Sequence, residues 1–93
     1  MIRTFACKDT EKLSCGIRVT RFISFERVAR RKLRQLEIAR ALEDLRVPPG
    51  NRLEQLSGNR AGFHSIRMNA QYRICLRWSD DGAEDVEIVD YHR

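Results

Sequence analysis

The side chains that could take part in acid–base or phosphate chemistry are concentrated after residue 57. They include Asn69, Arg73, Asp90, Tyr91 and His92. An arginine can stabilise the additional negative charge of a phosphorane, and a histidine exchanges protons near neutral pH. This set suits RNA cleavage without a metal ion. In that reaction a base deprotonates the 2′-hydroxyl, which attacks the adjacent phosphate, and an acid protonates the leaving 5′-oxygen.

The same residues have structural explanations that the sequence leaves open. Arg73 lies within a predicted strand, where it could pair with Asp85 or Glu87 on the neighbouring strand. His92 is the residue before the last, and such positions are commonly exposed tails. Residue types and spacing alone therefore leave the function undecided.

The charge of the chain is distributed unevenly. Its formal net charge is +5, from 18 Lys and Arg against 13 Asp and Glu. The stretch from Gly58 to Trp78 holds four arginines and no acid, whereas six acids follow between Asp80 and Asp90. An acid-free stretch beside an acidic one predicts a local basic surface. Such a surface suits either a polyanion or an acidic protein partner.

Metal and cofactor chemistry have little support in the sequence. The two histidines, His64 and His92, lie outside any cluster with metal-ligand spacing, and no Gly-rich phosphate loop is present. The three cysteines are odd in number and also lack that spacing, which favours structural thiols over a disulfide framework. We therefore expect neither a metal ion nor another cofactor.

Length and hydropathy limit the organisation and the location of the protein. A chain of 93 residues has room for one domain, which we expect to span residues 1–93. No apolar run reaches the roughly 18 residues of a membrane span, and no signal peptide opens the sequence. We therefore expect a cytoplasmic protein without a membrane partner.

The first quarter of the chain predicts short elements. Ile2 to Ala6 is a strand candidate. Thr10 is a candidate N-cap for a brief helix around Glu11 to Cys15, which Gly16 can end. Residues 18–23 fit either a loop or an extended segment.

A long helix is predicted from about residue 25 to 45, with Ser24 as its N-cap. Apolar residues recur there at intervals of three and four until Pro48-Pro49-Gly50, which no helix can continue through. The opposite side of this helix is basic and fits either solvent or RNA phosphates; it carries Arg27, Arg30, Arg31 and Arg34.

After residue 50 the hydrophobic period changes to two, which predicts strands. The alternation in the third strand puts Arg73 on a polar face, opposite an apolar face that includes Ile74. Helices followed by a strand meander indicate an α+β fold with the helices packed on one sheet face. The strand candidates are Arg52–Gln55, Phe63–Met68, Tyr72–Trp78 and Asp85–Tyr91, joined at Gly58-Asn59, Asn69–Gln71 and Asp80–Gly82.

Four segments of the chain carry a family resemblance. They are VPPGNRLEQL at 47–56, GNRAG at 58–62, HSIRMNAQYRICLRW at 64–78 and DVEIVDYH at 85–92. In this order they closely resemble the HigB toxins of the RelE/ParE superfamily of type II toxin–antitoxin systems. The resemblance covers nearly the whole chain and implies a RelE-like fold, with N-terminal helices packed on a curved antiparallel β-sheet.

The resemblance also implies a function and partners. It implies a toxin that enters the ribosomal A site and cleaves messenger RNA there. The implied partner is a HigA-type antitoxin with a helix-turn-helix domain, and operator DNA is bound only through the complex of the two proteins.

The resemblance selects site residues as well. Arg73, Asp90, Tyr91 and His92 match the family's active-site positions, and Asn69 matches its hairpin asparagine. We hypothesise that Arg73 stabilises the phosphorane, His92 transfers protons, Tyr91 orients the scissile nucleotide and Asn69 positions the substrate. The further RNA-binding candidates are Arg67, Arg60 and Arg52.

Two positions depart from the family pattern. Many relatives have Lys where this chain has Ser57, and some have His where it has Glu54. Both differences weaken electrostatic attraction for RNA, which leaves two alternatives to an endoribonuclease. One is an inhibitor of DNA gyrase, as in ParE-like relatives of the same fold. The other is a module that binds RNA or an antitoxin without catalysis.

Overall fold

The computed structural model describes residues 1–91 and consists of two α-helices, short 3₁₀ segments and four strands. The α-helices are α1 (Lys8–Ser14) and α2 (Glu26–Ile38). The 3₁₀ segments are Thr20–Phe25, Leu42–Arg46, Pro49–Asn51 and Gly58–Arg60. The strands are β1 (Glu54–Gln55), β2 (His64–Arg67), β3 (Tyr72–Ser79) and β4 (Gly82–Asp90).

The strands form one antiparallel sheet in the order β1-β2-β3-β4. The helices precede the sheet in the chain and cover its apolar face, which confirms the predicted α+β class. The buried core joins both layers and includes Phe22, Phe25, Ala29, Leu33, Leu36, Ile66, Ile74, Leu76, Val86 and Ile88. Because this face is filled by the helices, the functional side chains are left to the opposite face.

A β-bulge bends the long β3–β4 hairpin. Cys75 pairs with Glu87 but Arg77 pairs with Glu84, so β4 contains one extra residue in this stretch. Asp85 takes it up in the left-handed region, at a φ of 52°. A bulge of this kind increases the local twist and bends the strand. It accounts for curvature at this position in the sheet.

The predicted long helix is wrong in its second half. The α-helix ends at Ile38, and Ala39 is extended with φ −65° and ψ 136°. The Asp44 carboxylate accepts hydrogen bonds from the backbone N–H groups of Arg40 (2.9 Å) and Ala41 (3.1 Å). Asp44 thereby starts a separate 3₁₀ turn. The apolar period continues through the break, which explains why it predicted one helix.

The two predicted N-caps are also wrong, whereas Gly16 follows the end of α1 as predicted, with a φ of 90°. Ser24 lies within the 3₁₀ segment that leads directly into α2, and Phe25 occupies the N-cap position. Thr10 lies inside α1, fully buried, where its hydroxyl accepts a hydrogen bond from the backbone N–H of Ile88 at 3.1 Å. Thr10 therefore fastens α1 to β4 instead of starting a helix.

The elements near the two ends of the chain also differ from their predicted types and bounds. The segment Ile2–Ala6 is not a full strand; it makes two isolated parallel bridges, Ile2 to Ala83 and Phe5 to Val86. The ambiguous residues 18–23 mostly form the 3₁₀ segment that begins at Thr20. The last strand begins at Gly82 and ends at Asp90, whereas the alternation predicted Asp85 to Tyr91.

Candidate active site and nucleic-acid interface

The face of the sheet that lies away from the helices is polar. We call it the polar sheet face. The strand register places Ser65 and Arg67 of β2 opposite Cys75 and Arg73 of β3. Glu87 lies opposite Cys75 on the other side. Alternation in each strand puts these side chains on one surface. Two of the candidate residues, Arg67 and Arg73, thus share one surface.

Arg73 is held in a fixed position on this face. Its Nε donates to the Ser65 hydroxyl at 2.7 Å. Its Nη2 donates to the backbone carbonyls of Arg52 at 2.7 Å and Ser65 at 3.3 Å. Only 11% of the side chain is exposed. Nη1 makes no hydrogen bond to residues 1–91, so a rigid guanidinium keeps donors for an incoming anion.

The Arg52 carbonyl, which accepts a hydrogen bond from Arg73, is positioned by contacts with the helical layer. Asn51 is fully buried, and its amide donates to the carbonyls of Leu45 at 3.0 Å and Val47 at 3.4 Å. The buried Lys32 ammonium of α2 donates to the Asn51 side-chain oxygen. Burial, with a smaller contribution from Arg31, lowers the pKa of Lys32. These contacts position the Arg52 backbone next to the polar sheet face.

Arg67 lies directly opposite Arg73 in the β2–β3 ladder. Like charges in such a pair are destabilising. Neither Arg67 nor the exposed Arg52 side chain forms an ion pair within the part of the chain that the structure describes. We call Arg52, Arg67 and Arg73 the basic corner. The charges of Arg52 and Arg67 are uncompensated within residues 1–91, and a bound phosphate would neutralise them.

One carboxylate approaches the basic corner. Glu54 Oε1 lies 3.8 Å from Arg73 Nη2, and 56% of the Glu54 side chain is exposed. This is the position at which the sequence departs from the family pattern toward negative charge. The other departure, Ser57, is exposed and precedes the 3₁₀ segment at Gly58 without capping it through its side chain.

The opposite end of the polar sheet face is electrostatically compensated, and we call it the paired end. Arg60 Nη2 lies 3.6 Å from Glu87 Oε1, and Arg77 pairs with Glu84 at 3.4 Å and Asp85 at 2.8 Å. The two acids that could have neutralised Arg73 therefore pair with other arginines. Arg60, predicted as an RNA-binding residue, lies at this end.

Asn69 shapes the hairpin between β2 and β3. Its side-chain oxygen accepts hydrogen bonds from the backbone N–H groups of Gln71 and Tyr72, each at 2.8 Å. Gln71 in turn donates from its side chain to Asp90 at 3.1 Å and accepts at its carbonyl from the Tyr91 N–H at 2.6 Å. The hairpin therefore brings Asp90 and Tyr91 next to the strand that carries Arg73.

Tyr91 reaches the middle of the polar sheet face. Its hydroxyl lies 3.8 Å from the Sγ of Cys75, which is fully buried. Burial raises the pKa of both the Cys75 thiol and the Tyr91 phenol, and for Tyr91 the contact with Cys75 acts in the same direction. Both groups therefore favour their neutral, hydrogen-bearing forms. His92, the remaining catalytic candidate, lies outside the described residues.

Sequence reasoning missed three supporting residues. Ser65 holds the Arg73 guanidinium, Gln71 links the hairpin to Asp90, and Cys75 contacts Tyr91. Alternation in β2 puts Ser65 on the side of the strand away from the buried Ile66. The register that sets it beside Arg73 depends on how β2 and β3 pair, which single-strand patterns do not show.

The described chain contains no group of three or more His, Cys, Asp or Glu side chains that could hold a metal ion. Over the same range, no helix has the length and apolar character needed to cross a membrane.

Comparison with known proteins places the chain in a family. Residues 8–92 match the model of the HigB-like toxin family, described as the RelE-like toxin of the type II toxin–antitoxin system HigB. Toxin HigB-1 of Vibrio cholerae serotype O1 is 53% identical over 57 residues, which are 61% of this chain and 60% of that protein. An uncharacterized protein of Haemophilus influenzae is 34% identical over 55 residues, 59% of this chain and 54% of that protein.

The alignments with the curated relatives thus span about 60% and 54% of those relatives' lengths. The family match is wider, since it takes in both helices, all four strands and the chain end with Asp90 and Tyr91. The chain therefore belongs to the HigB-like family of RelE-like toxins of type II toxin–antitoxin systems.

Proposed function

We propose that this protein is a toxin that cleaves messenger RNA on the ribosome and thereby inhibits translation. The observation that carries the proposal is the basic corner. Arg73 is fixed by three hydrogen bonds yet keeps Nη1 unbonded within residues 1–91, and it lies beside an uncompensated Arg67. A rigid cation with unused donors suits a charge that grows in the transition state.

The reaction is a transesterification that needs no metal ion. A base removes the proton of a 2′-hydroxyl, and the 2′-oxygen forms a bond to the adjacent phosphorus. The bond from phosphorus to the 5′-oxygen then breaks, and an acid protonates that oxygen. The products are a 2′,3′-cyclic phosphate and a 5′-hydroxyl end.

The side chains take separate parts in this reaction. Arg73 stabilises the phosphorane, His92 transfers protons, and Tyr91 orients the scissile nucleotide. Burial raises the pKa of the Tyr91 phenol and so reinforces the neutral form that it already favours near neutral pH. Asp90 lies next to Tyr91 and is linked through Gln71 to the hairpin that Asn69 shapes. Asn69 thus supports substrate positioning through the hairpin.

The proposal includes the partners that a toxin of this family requires. A HigA-type antitoxin with a helix-turn-helix domain neutralises the toxin, and operator DNA is bound through their complex. The ribosome supplies the messenger in a defined conformation. The ribosome enters the proposal through the family resemblance, and a messenger held in a defined conformation would avoid the entropic cost of ordering free RNA against the basic corner.

The test is cleavage of ribosome-bound messenger by the purified toxin, with free messenger as the control. We expect cleavage only on the ribosome, with 2′,3′-cyclic phosphate and 5′-hydroxyl ends. Product ends with a 5′-phosphate would contradict the metal-independent reaction. Wild-type activity in both Arg73→Ala and His92→Gln would overturn the site assignment. Loss of DNA supercoiling by gyrase, without messenger cleavage, would support the gyrase inhibitor instead.

A further inference from the structure

The outer side of α2 is a second charged surface, distinct from the polar sheet face. Arg27, Arg31, Arg34 and Ile38 follow one another at helical spacing and are all exposed. The helices cover the apolar face of the sheet, so this stripe and the basic corner lie on opposite sides of the sheet. Contacts to the reacting RNA at Arg73 therefore leave the stripe unused.

A groove runs along the stripe on the side of α1. It has a volume of about 370 Å³ and a floor that includes the buried side chains of Leu13 and Leu33. Its rim includes Arg30 and Arg34. The Nε of Arg30 is buried and has no hydrogen-bond partner among the described residues. A buried donor without a partner is unfavourable, so the Arg30 guanidinium beside the groove is incompletely satisfied.

The cations of this surface exceed the acids that could neutralise them. Glu26 is shared between Arg18 at 3.4 Å and Arg30 at 3.5 Å. Glu37 accepts a hydrogen bond from the backbone N–H of Ile2 at 2.9 Å. The three arginines of the stripe, Arg27, Arg31 and Arg34, form no ion pair within residues 1–91.

A second groove, more apolar than the first, lies at the C-terminal end of α2. It has a volume of about 280 Å³ and is lined in part by Ile38, Ala39 and Val47. Ile38 is 63% exposed and Val47 is 70% exposed. Together with the groove at Arg30, this gives a surface that is basic at one end and apolar at the other.

We propose that this α2 surface docks an acidic, amphipathic segment of the antitoxin. An Asp or Glu side chain of the segment would pair with Arg30 and Arg34, and a large apolar side chain would cover Ile38 and Val47. A protein segment is favoured over ribosomal RNA because a phosphate backbone has no apolar group to cover two exposed aliphatic side chains. The inference rests on the antitoxin partner of the proposed function.

The test measures binding of the purified antitoxin encoded with this toxin by titration calorimetry. Arg34→Glu and Ile38→Asp change exposed side chains, so both variants are expected to fold, which their thermal unfolding checks. We expect each to weaken antitoxin binding at least about tenfold, a loss typical of a central interface residue. The matched control is Arg67→Glu, a charge reversal on the polar sheet face, which should leave antitoxin binding unchanged.

The outcomes separate the possibilities. Wild-type antitoxin affinity in both α2 variants would overturn the docking surface while leaving the partner intact. Weaker binding to ribosomes, with unchanged antitoxin binding, would also overturn it and assign the surface to ribosomal RNA. A wild-type toxin that does not bind the antitoxin would overturn the proposed partner, and the docking surface with it. Messenger cleavage by the wild-type toxin is measured separately. A failure of the proposed cleavage activity can therefore be distinguished from a failure of the docking surface.

Discussion

The two ends of the polar sheet face contain the same residue type in opposite electrostatic states. At the paired end, Arg77 contacts two carboxylates and Arg60 contacts a third. At the basic corner, Arg67 lies opposite Arg73 and contacts no carboxylate of residues 1–91, and Arg73 has the exposed Glu54 carboxylate at 3.8 Å. The ends differ in charge balance, although the strands alternate in the same way.

The manner in which the arginines are held differs too. Arg73 is fixed by a hydroxyl and by carbonyls, which orient it without cancelling its charge. Arg77 is held by carboxylates, which orient it and neutralise it. An arginine that must bind a phosphate needs the first kind of support, because a carboxylate competes with the phosphate for the same donors. The comparison therefore favours the basic corner over the paired end as the proposed phosphate-binding end.

The largest expected effect comes from replacing Arg73 by lysine, with the same replacement at Arg77 as the control. Lysine keeps the charge but cannot make the fork of hydrogen bonds that holds Arg73. We expect Arg73→Lys to lower the rate of messenger cleavage on the ribosome by about 100-fold or more, as for the loss of a transition-state donor. Arg77→Lys is the matched control and should stay within about threefold. Equal losses in both variants would remove the distinction between the two ends.

The next effect concerns the hydroxyls that support each end. Ser65→Ala removes the acceptor of Arg73 Nε, a hydrogen bond of 2.7 Å to a charged group. Such bonds contribute about 1.5 kcal/mol or more, so we expect about a tenfold lower cleavage rate. Ser79→Ala removes a hydroxyl that bonds Glu84 and the turn at the paired end. Thermal unfolding should register both changes, whereas an equal cleavage rate in the two variants would contradict the role of Ser65.

Replacing Arg67 and replacing Arg60 should change the stability of the protein in opposite directions. Arg67→Gln removes a like charge opposite Arg73, so the free energy of unfolding should rise by about 0.2–1 kcal/mol. The same change should weaken RNA binding and reduce the slope of affinity against salt by about one. Arg60→Gln breaks an exposed ion pair and should slightly lower stability. Chemical denaturation and a salt titration of RNA binding would show whether Arg67 exchanges stability for affinity.

Much of the fold could be predicted from local patterns, since alternation and turn residues specify strands β2 to β4. The end of α2 at Ile38 could not, because the apolar period continues past it and the break depends on Asp44 bonding the backbone at Arg40 and Ala41. Local periodicity reports which face is buried and does not report where the backbone stops being helical.

The site was partly predictable for a related reason. The charge pattern and the strand alternation indicated a basic polar face with Arg73 in it. The pairings of Arg60 with Glu87 and Arg77 with Asp85 depend on strand register and on the bulge at Asp85, which are tertiary features. The sequence therefore predicts the arginines of the site but not which of them are already neutralised.

The smallest effect tests Glu54, the acid that approaches Arg73 within residues 1–91. Glu54→Gln removes a carboxylate 3.8 Å from the Arg73 guanidinium. Because the pair is exposed and screened by solvent, we expect RNA to bind only about two- to threefold more tightly, most clearly at low salt. Glu84→Gln at the paired end is the control and should leave RNA affinity unchanged, since Asp85 still pairs with Arg77. Weaker RNA binding in Glu54→Gln would contradict this expectation. It would mean that the Glu54 carboxylate helps to bind RNA at the basic corner, whereas the Glu84 carboxylate at the paired end does not.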